Sequence, residues 1–188
     1  MNWDRASAGW LARAARIASP NFDARPAGLA IELLVIHYIS LPPGQFSGDA
    51  IVRLFTNQLD HDAHPALREL TGTRVSAHFL IRRRGQCLQF VSADDRAWHA
   101  GASKFGKRDR CNDFSIGIEL EGDSEHAFTQ AQYRRLAQLT LLLSQRYPLR
   151  HVAGHSDIAP GRKEDPGPNF DWSRYMKMLT TTRLSRPF

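Results

Sequence analysis

The chain has 188 residues, 42% of them hydrophobic, which suits one domain with a sizeable core. Its 25 Lys and Arg outnumber 19 Asp and Glu, giving a formal charge of +6. The basic residues are scattered, which argues against nucleic-acid binding and fits an electropositive pocket for a small anionic substrate. Cys87 and Cys111 have no closely spaced partner, so a disulfide framework and a cysteine-ligated zinc site are both disfavoured.

The amino-terminal segment has no signal-peptide apolar core, and no stretch is long and apolar enough to span a membrane. A soluble, cytoplasmic protein acting without nucleic acid or membrane is expected. Residues 10–17 are predicted as a short helix ended by Ser19-Pro20. Residues 30–37 read as the first core strand. Their short apolar run Leu33 to Ile36 leads directly into His37, placing that histidine at a strand's carboxyl end, where open α/β sheets put their ligands. Residues 41–44 hold two prolines and a glycine and must be a loop. Asp49 is predicted to cap a helix that buries Ile51, Val52, Leu54 and Phe55. Residues 60–65 are polar, with His61 and His64, and lack a strand to hold them.

Residues 75–83 and 86–91 read as a hairpin around Gly85, with His78 as a core or supporting histidine. Trp98 and His99 precede a glycine, and either line a sugar pocket or simply pack. Residues 114–120 are the next core strand, and period 2 puts Ser115, Gly117, Glu119 and Glu121 on one face. Residues 129–147 form the longest predicted helix, opened by a capping box of Thr129 and Gln132, with Leu136, Leu139 and Leu143 as its apolar stripe. Residues 151–153 are a short strand. It feeds a loop, 154–167, that contains His155, Lys163 and Asp165. Pro160, Gly161, Pro166 and Gly167 exclude a regular helix or strand from that loop. Asp171 is predicted to cap a final helix burying Trp172, Tyr175, Met176 and Leu179, and the tail after Thr180 is expected to be loose. Strands alternating with helices around an antiparallel hairpin predict a single α/β domain, residues 1–188 with its core at about 29–180: a central mixed β-sheet flanked by α-helices. Two histidines, an aspartate and a glutamate on or beside strand ends make a plausible hydrolytic metal site.

Five motifs carry a resemblance. They are Leu-Val-Ile-His-Tyr-Ile-Ser-Leu-Pro-Pro-Gly (34–44), Val-Ser-Ala-His-Phe-Leu-Ile (75–81), Arg-Ala-Trp-His-Ala-Gly (96–101), Cys-Asn-Asp-Phe-Ser-Ile-Gly-Ile-Glu-Leu-Glu-Gly (111–122) and Gly-His-Ser-Asp-Ile-Ala-Pro-Gly-Arg-Lys-Glu-Asp-Pro-Gly (154–167). In this order they resemble the zinc-dependent N-acetylmuramoyl-L-alanine amidases of the peptidoglycan-recognition and phage-lysozyme amidase superfamily, and within it the AmpD-type cytosolic anhydromuramyl-peptide amidases. The resemblance implies that fold and one Zn2+ per chain, held by His37, His155 and Asp165. It implies Glu119 as general base and Lys163 as the group that stabilises the oxyanion. Arg74 and Arg110 match positions that hold the anionic peptide of an anhydro-muropeptide substrate, and Trp98 and Ala159 match pocket walls. A monomer is expected. The rival is a fragment-binding protein without chemistry, which the loss of a ligand would mark. A second rival is an amidase of intact peptidoglycan. Relatives usually have Asn, Tyr and Thr where this chain has Tyr38, Ala66 and Glu164. Tyr38 and Ala66 are expected to be a paired exchange at the pocket rim, with Tyr38 among the substrate-binding residues, unless strand periodicity turns Tyr38 to the face opposite His37.

Overall fold

The computed structural model describes residues 1–188. Ten strands occur along the chain: β1 (Ala15–Arg16), β2 (Phe22–Asp23), β3 (Leu33–Ile39), β4 (Phe79–Ile81), β5 (Cys87–Gln89), β6 (Arg96–Ala97), β7 (Lys104–Phe105), β8 (Arg108–Asp109), β9 (Ser115–Glu121) and β10 (His151–Gly154). The helices are α1 (Ala50–Phe55), α2 (Gln130–Arg146), α3 (His155–Ile158) and α4 (Trp172–Lys177). Six strands form the central sheet in the order β1-β5-β4-β9-β3-β10. Strands β10, β3, β9 and β4 run parallel, and β5 returns antiparallel to β4, so the sheet is mixed. The domain is single and of the α/β type.

Strands β3 and β9 lie at the centre, and all of β9 and most of β3 are buried. Burial on both faces explains why β3 reads as a continuous apolar run rather than an alternating one. One face presents Leu34, Ile36, Ile116, Ile118, Leu120 and Val152 to Leu136, Leu139 and Leu143 of α2 and to Tyr175 of α4. Each such fully buried side chain contributes about 1.5–3 kcal/mol. The other face carries two apolar patches. Leu80 and Leu88 pack under Ile51, Leu54 and Phe55 of α1, whereas Leu33, Val35 and Ala153 pack with Ile158 of α3 and Phe114. His37 and Glu119 are paired on this same face, beside those patches.

Several expectations hold in place. The capping box opens α2, with Thr129 accepting from the Gln132 amide and Gln132 Oε1 accepting from Thr129. Asp171 accepts from the Arg174 amide at the start of α4. The hairpin turns at Gly85, whose φ of 80° and close approach to Ala131 both suit a residue without Cβ.

Four others do not. Residues 10–17 form no helix. The Gln89 side chain takes the Leu11 amide at 2.8 Å and donates to the Gly9 carbonyl at 2.7 Å. With those backbone groups satisfied tertiarily, the segment extends into β1 beside β5, and local helix propensity is overridden. Asp49 sits at the N-cap of α1 without capping; its carboxylate instead takes Arg53 Nε at 2.8 Å, and Val52 is not fully buried. The 154–167 segment does contain a helix, the single turn α3, because Asp157 accepts the Gly154 amide at 2.7 Å before Pro160 is reached. The tail is not loose. Ser185 bridges to His151 alongside β10, and Arg186 pairs with Asp157 at 3.1 Å.

Candidate metal centre

The sheet register builds the centre. His37 pairs with Glu119 across β3 and β9, and Ile36 pairs with Gly154 across β3 and β10. His155 follows Gly154, so the two histidines and Glu119 stand at one level at the carboxyl end of three parallel strands. Asp165 returns to this level through the turn after α3, where the Ala159 carbonyl accepts from the Arg162 and Lys163 amides and the Asp165 carbonyl accepts from Ser156.

His37 Nδ1, His155 Nδ1 and Asp165 Oδ2 lie at the corners of a triangle with sides of 3.0, 3.0 and 3.0 Å, and all three residues are buried. His155 Nε2 faces the Ala100 carbonyl at 3.1 Å, which can only accept. A proton on Nε2 would satisfy that carbonyl and leave the Nδ1 lone pair pointing at a carboxylate oxygen, and Arg162 Nη2 also lies 3.4 Å from Nε2. Burial lowers His37 to about 4, which favours its neutral ring. Acceptors crowded at 3.0 Å are unfavourable unless a cation lies among them. Two imidazole nitrogens and one carboxylate oxygen suit a divalent metal of the zinc type, with a coordination position left free. The residues fit such an ion.

Beside the triangle is a cavity of about 260 Å³, lined among others by Glu119, Lys163, Leu54, Phe55 and Thr73. Glu119 is buried and its Oε2 has no hydrogen-bond partner. Burial, then the nearby Asp165 charge, push its carboxyl well above the usual range, with Lys163 opposing. Lys163 is otherwise exposed at the mouth.

The remaining expected residues are spread around this cavity. Arg74 is exposed on a neighbouring depression that shares Leu54 and Thr73 with it. Arg110 is exposed, at a left-handed φ of 61°, with its guanidinium 3.3 Å from Asp113. Trp98 is half-buried and exchanges hydrogen bonds with Ser76, one of the lining residues. Ala159 is buried in the turn that delivers Lys163. None of these four lines the cavity. Tyr38 lies on the face opposite His37 in the strand, yet its ring reaches the rim and its hydroxyl donates to Glu164. The three depressions described around Tyr38 do not include Ala66, and the hydroxyl's partner is Glu164, between Lys163 and Asp165. Two supporting groups were not foreseen in these roles. His99 contacts the outer nitrogen of His37, and the buried guanidinium of Arg25 is spent on the carbonyls of Asn112, Asp113 and Ser115.

Residues 27–168 match the family model described as N-acetylmuramoyl-L-alanine amidase. The chain belongs to this family. Its sequence is 53% identical to the 1,6-anhydro-N-acetylmuramyl-L-alanine amidase AmpD of Citrobacter freundii, over 92% of this chain and 93% of that protein. The AmpD of Escherichia coli K12 is also 53% identical, over 92% and 95%. A crystal structure of a selenomethionine derivative of AmpD superposes with a TM-score of 0.88 at 52% identity, covering 92% of this chain and 98% of that one. The amidase AmiD of Escherichia coli, solved as a complex with anhydro-N-acetylmuramic acid-L-Ala-D-gamma-Glu-L-Lys, superposes with a TM-score of 0.58 at 31% identity, over 89% of this chain and 61% of that one.

Proposed function

We propose that this amidase hydrolyses the amide bond between the lactyl group of 1,6-anhydro-N-acetylmuramic acid and L-alanine, using one zinc ion held by His37, His155 and Asp165. The observation that carries the reading is the triangle of two imidazole nitrogens and one carboxylate oxygen, each 3.0 Å from the others, beside a buried carboxyl with an unpartnered oxygen. The zinc ion would polarise the scissile carbonyl and acidify the attacking water. Glu119 takes the proton of that water and returns it to the leaving amine. Its elevated basicity relative to an ordinary carboxylate suits it to hold a proton between the two steps. Lys163 at the cavity mouth faces the oxygen on which negative charge develops. Arg74 and Arg110 lie outside the cavity, where the forks of two arginines suit the carboxylates of the stem peptide. Trp98 and Ala159 would support the walls, and Tyr38 would form part of the rim. The 53% identity to AmpD enzymes, named as 1,6-anhydro-N-acetylmuramyl-L-alanine amidases, favours a small anhydro-muropeptide over intact peptidoglycan. A cytoplasmic monomer that recycles wall fragments goes with that reading.

The test is mass spectrometry of products from anhydro- and non-anhydro-muropeptides, with and without a chelator. Release of free peptide from the anhydro substrate, abolished by the chelator and restored by zinc, is expected. Full activity in the metal-free protein would overturn the mechanism, and preference for non-anhydro substrate would overturn the assignment of substrate.

A further inference from the structure

His99 is buried, and both of its ring nitrogens are engaged. Nδ1 is 3.0 Å from His37 Nε2, and Nε2 is 3.1 Å from Ser115 Oγ. The ring lies across the backbone of Gly117, where an added Cβ would come within 2.4 Å of His99 Cγ. A glycine inside a central strand, where it weakens the strand, marks a close approach of this kind. Gly117 is held in turn by His78, whose Nδ1 accepts the Gly117 amide at 3.0 Å and whose Nε2 faces the Asp95 carbonyl at 3.1 Å. The fold thus opens a slot in β9 and fixes its floor, and His99 fills it. Nothing about this arrangement is needed to cover the sheet, because any apolar side chain would do that.

Only one proton can lie between His37 Nε2 and His99 Nδ1. If His99 donates it, the proton of neutral His37 must sit on Nδ1, pointing at Asp165 and occupying the lone pair that a metal needs. If His37 donates it, Nδ1 is bare. His99 must then carry its own proton on Nε2, and Ser115 Oγ is in place to accept it. A hydroxyl can accept or donate, so Ser115 allows this arrangement without competing against it.

We infer that His99 is a positioning residue for the metal: its Nδ1 accepts a hydrogen bond from His37 Nε2–H, its own Nε2–H donates to Ser115 Oγ, and it so fixes His37 in the tautomer and ring orientation that binds zinc through Nδ1. This rests on the metal centre proposed above. The outer nitrogen of His155 faces a backbone carbonyl, that of Ala100 at 3.1 Å, with Arg162 Nη2 farther off at 3.4 Å. The two histidine ligands thus have outer partners of different kinds, one from the main chain and one from a side chain that substitution can reach. Such outer partners are typically worth about 10–100-fold in metal affinity.

The test is zinc affinity measured by competition with a chromogenic chelator, which needs no substrate. The wild-type protein is compared with His99→Leu, which fills the slot but cannot accept a proton, and with His99→Asn, whose side-chain carbonyl offers an acceptor near the place of Nδ1. His99→Leu is expected to bind zinc about 10–100-fold more weakly, and His99→Asn to recover most of the loss. Long-range proton–nitrogen NMR of the zinc-loaded wild type reads the tautomers directly and is independent of how the variants fold. It should show both His37 and His99 protonated on Nε2. Wild-type affinity in His99→Leu, equal loss in the Leu and Asn variants, or a His99 proton on Nδ1 would each overturn the inference. A wild-type protein that binds no zinc would instead overturn the metal centre itself.

Discussion

Glu119 and Lys163 are the two residues whose surroundings differ most from those of an ordinary surface pair. Glu119 has a buried oxygen with no partner, and Lys163 projects over the same cavity from the loop opposite. Glu119→Gln is nearly isosteric and touches none of the three metal donors. It should keep its zinc while kcat falls about a hundred- to ten-thousand-fold. Lys163→Ala should lower kcat by a similar order with a smaller change in KM, because the charge it faces exists only in the transition state. Stopped-flow or discontinuous assays beside metal analysis separate these outcomes. A Glu119→Gln protein that loses metal, or a Lys163→Ala protein that loses only affinity, would remove the assigned role.

At the scale of elements, the centre depends on β3, β9, β10 and the loop after α3 arriving together, and the Tyr38 hydroxyl joins the first of these to the last through Glu164. Burial, and then the Glu164 carboxylate, push the phenol up, so it remains a donor at neutral pH. Tyr38→Phe and Glu164→Gln should therefore be non-additive in thermal stability, with a coupling of about 0.5–1.5 kcal/mol, whereas Tyr38→Phe and Ala66→Tyr should add simply. Additivity in the first pair would show the contact to be incidental. This contact marks a limit of what the sequence makes legible. Strand periodicity does place Tyr38 opposite His37, and apolar runs identify β3, β9 and α2, because both signals are local. The partner of Tyr38 lies 126 residues away and depends on how a Pro- and Gly-rich loop folds back. The same holds for residues 10–17, where the Leu11 amide goes to the side chain of Gln89, 78 residues away. His99 is a middle case: Gly117 between Ile116 and Ile118 of a buried strand signals that something must lie across it, but not which residue.

Four of the molecule's eight histidines, His37, His78, His99 and His155, are buried. An unfolded histidine titrates near pH 6.5, whereas burial brings His37 to about 4 and His78 to about 3 in the folded chain. Between those values and 6.5 the unfolded chain binds more protons. The associated stability is therefore fully present above about pH 6.5 and is lost as the pH falls towards 4, at about 1.4 kcal/mol per pH unit for each such histidine. Urea midpoints of the metal-free protein should accordingly fall steeply from pH 7 to 5. His78→Asn keeps an acceptor for the Gly117 amide and should flatten that slope by one histidine's share. An unchanged slope in this variant would show that His78 does not contribute to it.

The position of β3 has a consequence for how the protein is made. Its residues 33–39 emerge early in synthesis, but both strands that flank it, at 115–121 and 151–154, are translated long afterwards. Until then Leu33 to Ile39 is an apolar segment with two open hydrogen-bonding edges, the kind that pairs with other chains. The nascent chain thus depends on being shielded, or on folding quickly once residue 154 is free, and the yield of soluble protein should be sensitive to translation rate. The metal donors share this timetable. His37 waits for His155 and Asp165, so the set of three donors is complete only once residue 165 has been made.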